Sequence, residues 1–386
     1  MIYLDNSATT ELSQKTKEKM YEVMDNYGNP SSRHTLGISA KKILDTAREQ
    51  VGKALGTSHP SAENLFFTSC GSEANNTAIL GSVYAKARRR VNKIITTDSE
   101  HSSVENVMKK LENDGFDIVR LPTRDGIIDE EYFLSEIDEK TLLISLMLVN
   151  NETGAVYDVK KLFSLAKKKH PDILTHCDAI QGFLKVPMSI KSLGASTISV
   201  SAHKIHGPKG VGALYVSPDV IKQKNIVPYL IGGGQEGGLR SGTENVIGIA
   251  GFGAAADEGY KNLSDNVAKM IRLRELCENG ARAVGIRPNI PIGERAPHIL
   301  SLTLPDIKSE TMLNFLSSKG ICVSAGSACS SHVKGISSSL LGFGLTSGEA
   351  DTTIRVSFSE YNTEEDVNAL ISALRSGLDN IVKIKK

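Results

Sequence analysis

The chain has 386 residues, of which 40% are hydrophobic and 23% charged, and its formal net charge is +1. These are ordinary globular values for a chain long enough to build two cores, and so small a net charge argues against a nucleic-acid or membrane surface. The cysteines at 70, 177, 277, 322 and 329 are odd in number and contain no CxxC pair, which argues against a disulfide framework or metal site and suits a reducing cytoplasm. The opening Met1-Ile-Tyr-Leu-Asp lacks the basic and apolar regions of a signal peptide, and no run of 18 or more apolar residues predicts a membrane helix.

In chain order, residues 2–10 read as a short extended piece ending in polar turn residues, followed by a helix over about 13–27 and a loop over 28–34. Ile43, Leu44, Ala47, Val51, Ala54 and Leu55 share one helical face, and Gly56 is a stop. Strands and helices then alternate. Strands are expected at 65–68, 93–97, 116–121, 141–149, 173–177 and 197–201, with helices from about 71 to 90, 101 to 115 and 158 to 170. The basic runs 88–90 and 167–169 fall at helix ends, where they complement the dipole. Near-continuous apolar strands between helices predict a parallel sheet covered on both faces, with ligands beyond the carboxyl ends of its strands. A glycine-rich loop spans 231–243, and a long helix over about 245–284 bridges to a second region. There, strands at 298–304 and 353–358 and helices at 309–319 and 364–384 predict a smaller α+β domain.

Several strand ends carry residues suited to chemistry. Lys204, in Ser201-Ala-His-Lys204 before a Gly-Pro turn, is placed for a Schiff base, although a lone lysine fits a solvated surface equally well. Asp178, closing an apolar strand, suits either a helix N-cap or the partner of a protonated pyridine nitrogen in pyridoxal phosphate (PLP). Ser69-Cys-Gly-Ser72 opens a helix and offers an anion site. His101 opens another helix, where it is either structural or a ring-stacking proton shuttle. Arg355 is either a surface strand residue or a carboxylate clamp. Cys329 lies among small residues in Ser324-Ala-Gly-Ser-Ala-Cys-Ser-Ser331, a setting for a thiol on a soft loop.

With these residues collected, the chain resembles the cysteine desulfurases of the NifS/IscS type, in the class V aminotransferase group of fold-type-I PLP enzymes. The resemblance runs nearly end to end. It is carried by Tyr3-Leu-Asp-Asn-Ser-Ala-Thr-Thr, Gly28-Asn-Pro-Ser-Ser-Arg-His, Glu100-His101, Val149-Asn-Asn-Glu, Asp178-Ala-Ile-Gln181, Ser201-Ala-His-Lys204, Arg240-Ser-Gly-Thr243 and Ser324-Ala-Gly-Ser-Ala-Cys329. It implies an α/β fold with a mainly parallel seven-stranded sheet in a large domain (14–257) and a smaller α+β domain (1–13 and 258–386).

It also implies roles. Lys204 holds PLP and moves the substrate Cα proton, Asp178 faces the pyridine nitrogen, and Gln181 faces the ring hydroxyl. Gly71, Ser72, Ser201 and His203 hold the phosphate, joined by Thr243 from a neighbouring subunit of a homodimer. His101 stacks on the ring, and Asn151 and Arg355 bind the substrate carboxylate, with Asn151 also at the cofactor. Cys329 attacks the sulfur of L-cysteine, keeps it as a persulfide and passes it to acceptor proteins for iron–sulfur assembly or tRNA thiolation.

The chain departs from the family pattern at Cys70, where a glycine is usual, and after Cys329, where Val333-Lys-Gly-Ile-Ser replaces the usual Leu-Glu-Pro-Ser. A selenocysteine lyase, a class V transaminase and a non-catalytic partner protein are the alternatives. The thiol argues against a transaminase, and the retained Lys204, Asp178, His101 and Cys329 argue against a non-catalytic protein.

Overall fold

The computed structural model describes residues 1–57, 64–86, 91–325 and 336–381. A seven-stranded sheet runs in the order Leu65–Thr68, Gly212–Val216, Thr197–Ser201, Leu174–Asp178, Thr141–Met147, Lys93–Thr97, Asp117–Leu121. Gly212–Val216 is antiparallel to both neighbours, and the other pairs are parallel. The expected fold class therefore holds. The three strands 141–147, 174–178 and 197–201 are buried at every residue, as in a sheet covered on both faces; only the first runs nearly continuously apolar, while the other two bury polar side chains that are tied by hydrogen bonds such as Thr175 to Ser196 and His176 to Thr197. Sequence order reverses between Lys93–Thr97 and Thr141–Met147, and a reversal of this kind opens a crevice beyond the carboxyl ends of the strands. Gly212–Val216 was not anticipated. It is only five residues long and follows directly from the Lys204 turn.

Helices cover both faces and build separate cores. Thr35–Ala54 buries Ala40, Leu44, Ala47 and Val51 along one stripe. Against it lies Val246–Lys261, at a separation that only glycine permits: a Cβ at Gly253 would stand 2.7 Å from Ala47 Cα. The helical region expected over 245–284 is built of two helices, Val246–Lys261 and Leu263–Ala283. They break at Asn262 (φ −105°, ψ 9°), a residue with weak helix preference whose side chain competes for backbone bonds.

A second sheet of four antiparallel strands runs Ser324–Ala325, Thr353–Ser357, Ile299–Thr303, Arg287–Asn289. Its core joins Leu300, Leu302, Ile354 and Val356 to Met270, Met312 and Leu370 from the helices above it. Leu4 belongs to the same core. Ile2–Tyr3 pairs in parallel with Ile321–Cys322, and Ser357 N–H donates to Leu4 O at 2.7 Å. Residues 2–8 are thus stitched to the second sheet and end over the first. Among the described residues no helix is long and apolar enough to cross a membrane.

Candidate active site

A cavity of about 280 Å³ opens where the strand ends of the large sheet meet Ser7, Ala8 and Arg355. Ten of the twelve anticipated residues line it: Gly71, Ser72, His101, Asn151, Asp178, Gln181, Ser201, His203, Lys204 and Arg355. Thr243 does not line it and stands exposed on the glycine-rich loop, which Arg240 ties to Glu73 through Nε–H to Oε1 at 2.7 Å. Cys329 lies outside the described residues.

Asp178 is the last residue of its strand, and its carboxylate is buried. Oδ1 accepts from Ile180 N–H at 3.0 Å, and Oδ2 accepts from Asn75 Nδ2 at 2.8 Å. Asn75 in turn receives His176 Nε2 on its Oδ1 at 3.2 Å, and His176 Nδ1 meets the Thr197 hydroxyl at 3.0 Å. Complete burial depresses His176 to about 3, so it stays neutral.

His101 caps the helix Ser102–Asn113: its Nδ1 accepts from Ser103 N–H at 3.1 Å, with the Ser103 hydroxyl at 2.8 Å. A backbone N–H can only donate, so Nδ1 carries no proton and the neutral ring keeps its proton on Nε2. Burial lowers the pKa of His101, with Lys204 adding to the effect and Asp178 opposing it.

Lys204 follows the strand Thr197–Ser201 by one short 3₁₀ turn. Its Nζ donates to Ser7 O at 2.5 Å and Ala8 O at 2.9 Å, and Gln181 Nε2 also donates to Ser7 O at 2.8 Å. At one end of the cavity the helix Gly71–Lys86 begins, and its first N–H groups have no carbonyl within the helix. Gly71 leaves room here, since a Cβ would sit 2.3 Å from Ile180 Cδ1 and push that side chain aside. His203 lies beside it, lowered to about 4 by burial and then by Lys204 and Lys209.

Asn151 stands in a turn organised by Asn150, whose Oδ1 accepts from the N–H groups of Glu152 and Thr153 at 2.9 Å each. Arg355, on the second sheet, is 3% exposed. It donates from Nη1 to Asn151 O at 2.9 Å and from Nη2 to Asp5 Oδ1 at 2.8 Å, and its buried Nε has no partner among the described residues.

These residues fit PLP. A helix N-terminus with serine hydroxyls suits a phosphate, a buried carboxylate suits a protonated pyridine nitrogen, and a lysine stands between them. An unpaired guanidinium donor across the cavity suits a substrate carboxylate. Sequence reasoning missed Ser103, which lines the cavity, Asn75, which holds Asp178 from behind its wall, His176, which reaches the site only through Asn75, and Asp5, Ser7 and Ala8. The Asp5 and Ser7-Ala8 stretch stood in a quoted motif, but only folding shows that it supplies carbonyls and a counterion.

Residues 2–370 match the profile of the aminotransferase class-V family. The chain is 38% identical over 379 residues to the cysteine desulfurase IscS of Clostridium botulinum, covering 97% of this chain and 93% of that one. It is 37% identical to a cysteine desulfurase of Nostoc, covering 97% and 92%. Among solved structures, a NifS-like protein superposes with a TM-score of 0.91 at 36% identity, covering 98% of this chain and 99% of that one. SspA in complex with cysteine superposes at 0.82 and 30%, covering 94% and 100%. The chain belongs to the aminotransferase class-V family of PLP-dependent enzymes and, within it, to the cysteine desulfurases of the IscS/NifS type.

Proposed function

We propose that the protein is a PLP-dependent cysteine desulfurase that converts L-cysteine to L-alanine and keeps the sulfur as a persulfide on Cys329. The observation that carries this reading is the meeting of Lys204, Asp178, His101 and Arg355 in one cavity. PLP, when bound, supplies an electron sink conjugated with the substrate Cα. Lys204 holds it and moves the Cα proton, and the Ser7 and Ala8 carbonyls set where Nζ stands. Asp178 keeps the pyridine nitrogen protonated, and Gln181 reaches the ring hydroxyl. Gly71, Ser72, Ser201 and His203 hold the phosphate. His101 stacks on the ring and offers a proton from Nε2.

Arg355 and Asn151 fix the substrate carboxylate, which aims the substrate sulfur away from the clamp. The Cys329 thiolate attacks that sulfur. The S–S bond forms as the Cβ–S bond breaks, the electron pair stays on Cβ, and a proton completes the methyl group of alanine. We further read the chain as a cytoplasmic homodimer in which Thr243 of the partner subunit joins the phosphate site, and the two sheets with separate cores support a division into two domains, read from the sequence at 257/258, within the helix Val246–Lys261. The persulfide passes to an acceptor protein for iron–sulfur assembly or tRNA thiolation.

The test is incubation with L-cysteine and a thiol reductant, with sulfide and alanine both measured. Equal yields are expected from the wild type and neither product from Lys204→Ala. Cofactor-loaded protein that makes no alanine sinks the reading. Wild-type sulfide release by Cys329→Ala sinks the role of that thiol.

A further inference from the structure

Asn75 is completely buried in the helix Gly71–Lys86 and lies behind the cavity wall, absent from the lining. Its amide nevertheless meets three site-facing groups at once. Nδ2 donates to Asp178 Oδ2 at 2.8 Å and to Ser103 Oγ at 2.9 Å, and Oδ1 faces His176 Nε2 at 3.2 Å. The direction of every bond is forced. The Asp178 carboxylate can only accept, so the NH₂ group faces it and Oδ1 faces His176. His176 must then carry its proton on Nε2, and its Nδ1 accepts from the Thr197 hydroxyl. On the other branch, the Ser103 hydroxyl has accepted from Asn75. Its own hydrogen is left for His101 Nδ1 at 2.8 Å, which is already committed as an acceptor by the Ser103 N–H.

We propose that Asn75 is a positioning residue that couples the two partners of the cofactor ring, orienting the Asp178 carboxylate directly and aiming the Ser103 hydroxyl as a second donor that strengthens the backbone N–H in keeping Nδ1 of His101 unprotonated. The proposal rests on the PLP-site reading above. His176, fixed by Thr197, anchors the amide so that it does not turn over. Because His176 stays neutral, the branch adds no charge beside Asp178. One amide thereby bears on both the carboxylate that would face the ring nitrogen and the imidazole that would stack on the ring. These bonds join only this chain's own side chains, so their effects are measurable with and without cofactor.

The experiment compares wild type, Asn75→Ala and Ser103→Ala as full chains, cofactor-loaded and cofactor-free. Imidazole ¹⁵N NMR, with the His101 signal assigned by its loss in His101→Asn, reads the tautomer. The pH midpoint of the absorbance that Lys204 gives with PLP reads the field of Asp178. In the wild type, Nδ1 of His101 resonates as an unprotonated nitrogen. Asn75→Ala is expected to raise the Nδ1–H tautomer about fivefold, the size of one lost hydrogen bond, and to move the absorbance midpoint by about half a pH unit or more. Ser103→Ala is expected to move the tautomer by a similar factor and leave the midpoint in place. The proposal is overturned if Asn75→Ala leaves either readout at its wild-type value, or if Ser103→Ala leaves the tautomer unchanged. Should Asn75→Ala fail to fold by circular dichroism, Asn75→Leu, which keeps much of the volume and removes both donors without adding charge, is held to the same outcomes. A protein that binds PLP but makes no alanine refutes the desulfurase reading while leaving both spectroscopic outcomes to be decided separately.

Discussion

Two inward-facing carboxylates, Glu100 and Glu360, are buried in opposite ways. Glu360 sits where the Lys204 turn meets the second sheet's helices. Its Oε2 faces His206 Nε2 at 3.2 Å and Lys185 Nζ at 3.6 Å, and Oε1 accepts from Asn266 Nδ2 at 3.0 Å. Lys185 and His206 outweigh the burial and hold Glu360 well below the usual carboxylate range. Glu100, beside His101, has no such cation. Oε1 accepts from the Thr97 hydroxyl at 2.8 Å and Met147 N–H at 2.9 Å, Oε2 has no partner, and burial with Asp178 nearby pushes it up to about 8. The difference separates two uses of burial. At the joint between sheets, counterions hold the charge; behind the site wall, burial without a counterion favours the protonated form of Glu100.

The sharpest way to break this comparison is to remove a cation from the joint. Lys185→Met is expected to cost about 2–3 kcal/mol in urea unfolding, less than for a fully buried pair because His206 and Asn266 still reach Glu360. The double change with Glu360→Gln is expected to recover much of that loss, and no recovery would show that Lys185 acts by packing alone.

The two groups also give opposite pH signatures. Glu360 is depressed, so its contribution is full above the ordinary 4.5 and is lost as pH falls through the folded value. Glu100 is raised, so the folded state holds an extra proton between about 4.5 and about 8 and stability declines as pH rises across that window. Glu100→Gln is therefore expected to flatten the alkaline decline by on the order of 1–3 kcal/mol between pH 5 and pH 9, and Glu360→Gln to flatten the acid limb instead. Parallel profiles for the wild type and both variants would abolish the distinction.

Arg355 is a third case, a buried cation half-satisfied by Asp5. Arg355→Lys removes the planar fork and is expected to raise KM for L-cysteine about tenfold with a smaller change in kcat. The smallest effect is expected at Cys70, a thiol on the cavity wall. Cys70→Ala should alter cofactor affinity by less than about twofold by equilibrium dialysis, and a larger loss would give the thiol a direct part in the phosphate site.

Much of this arrangement was legible in the sequence because strand ends announce themselves. Asp178, Lys204 and His101 each follow an apolar run, and the parallel sheet brings such ends together whatever their separation in the chain. Asn75 and His176 were not legible. One sits inside a helix and the other inside a strand, where polar residues ordinarily read as tolerated exceptions, and their meaning lies in bond directions that exist only after folding. The strand Gly212–Val216 escaped for a simpler reason: a five-residue run after a turn looks alike as strand or loop. The break at Asn262 shows the converse limit, since apolar periodicity continued across it while the backbone did not.

The threading of residues 2–8 has a consequence for how the protein is made. Lys204 and Gln181 take their partners from Ser7 and Ala8, yet that segment is held by Ile321–Cys322 and by Ser357. Residues 2–8 leave the ribosome early and must wait for more than three hundred later residues before their docking strands exist. The large sheet has all its strands by residue 216, but its lysine lacks its two carbonyls until residues 321–357 have been made. The pocket therefore takes its final form only when the second sheet is in place, so the cavity and the second sheet form as one cooperative unit.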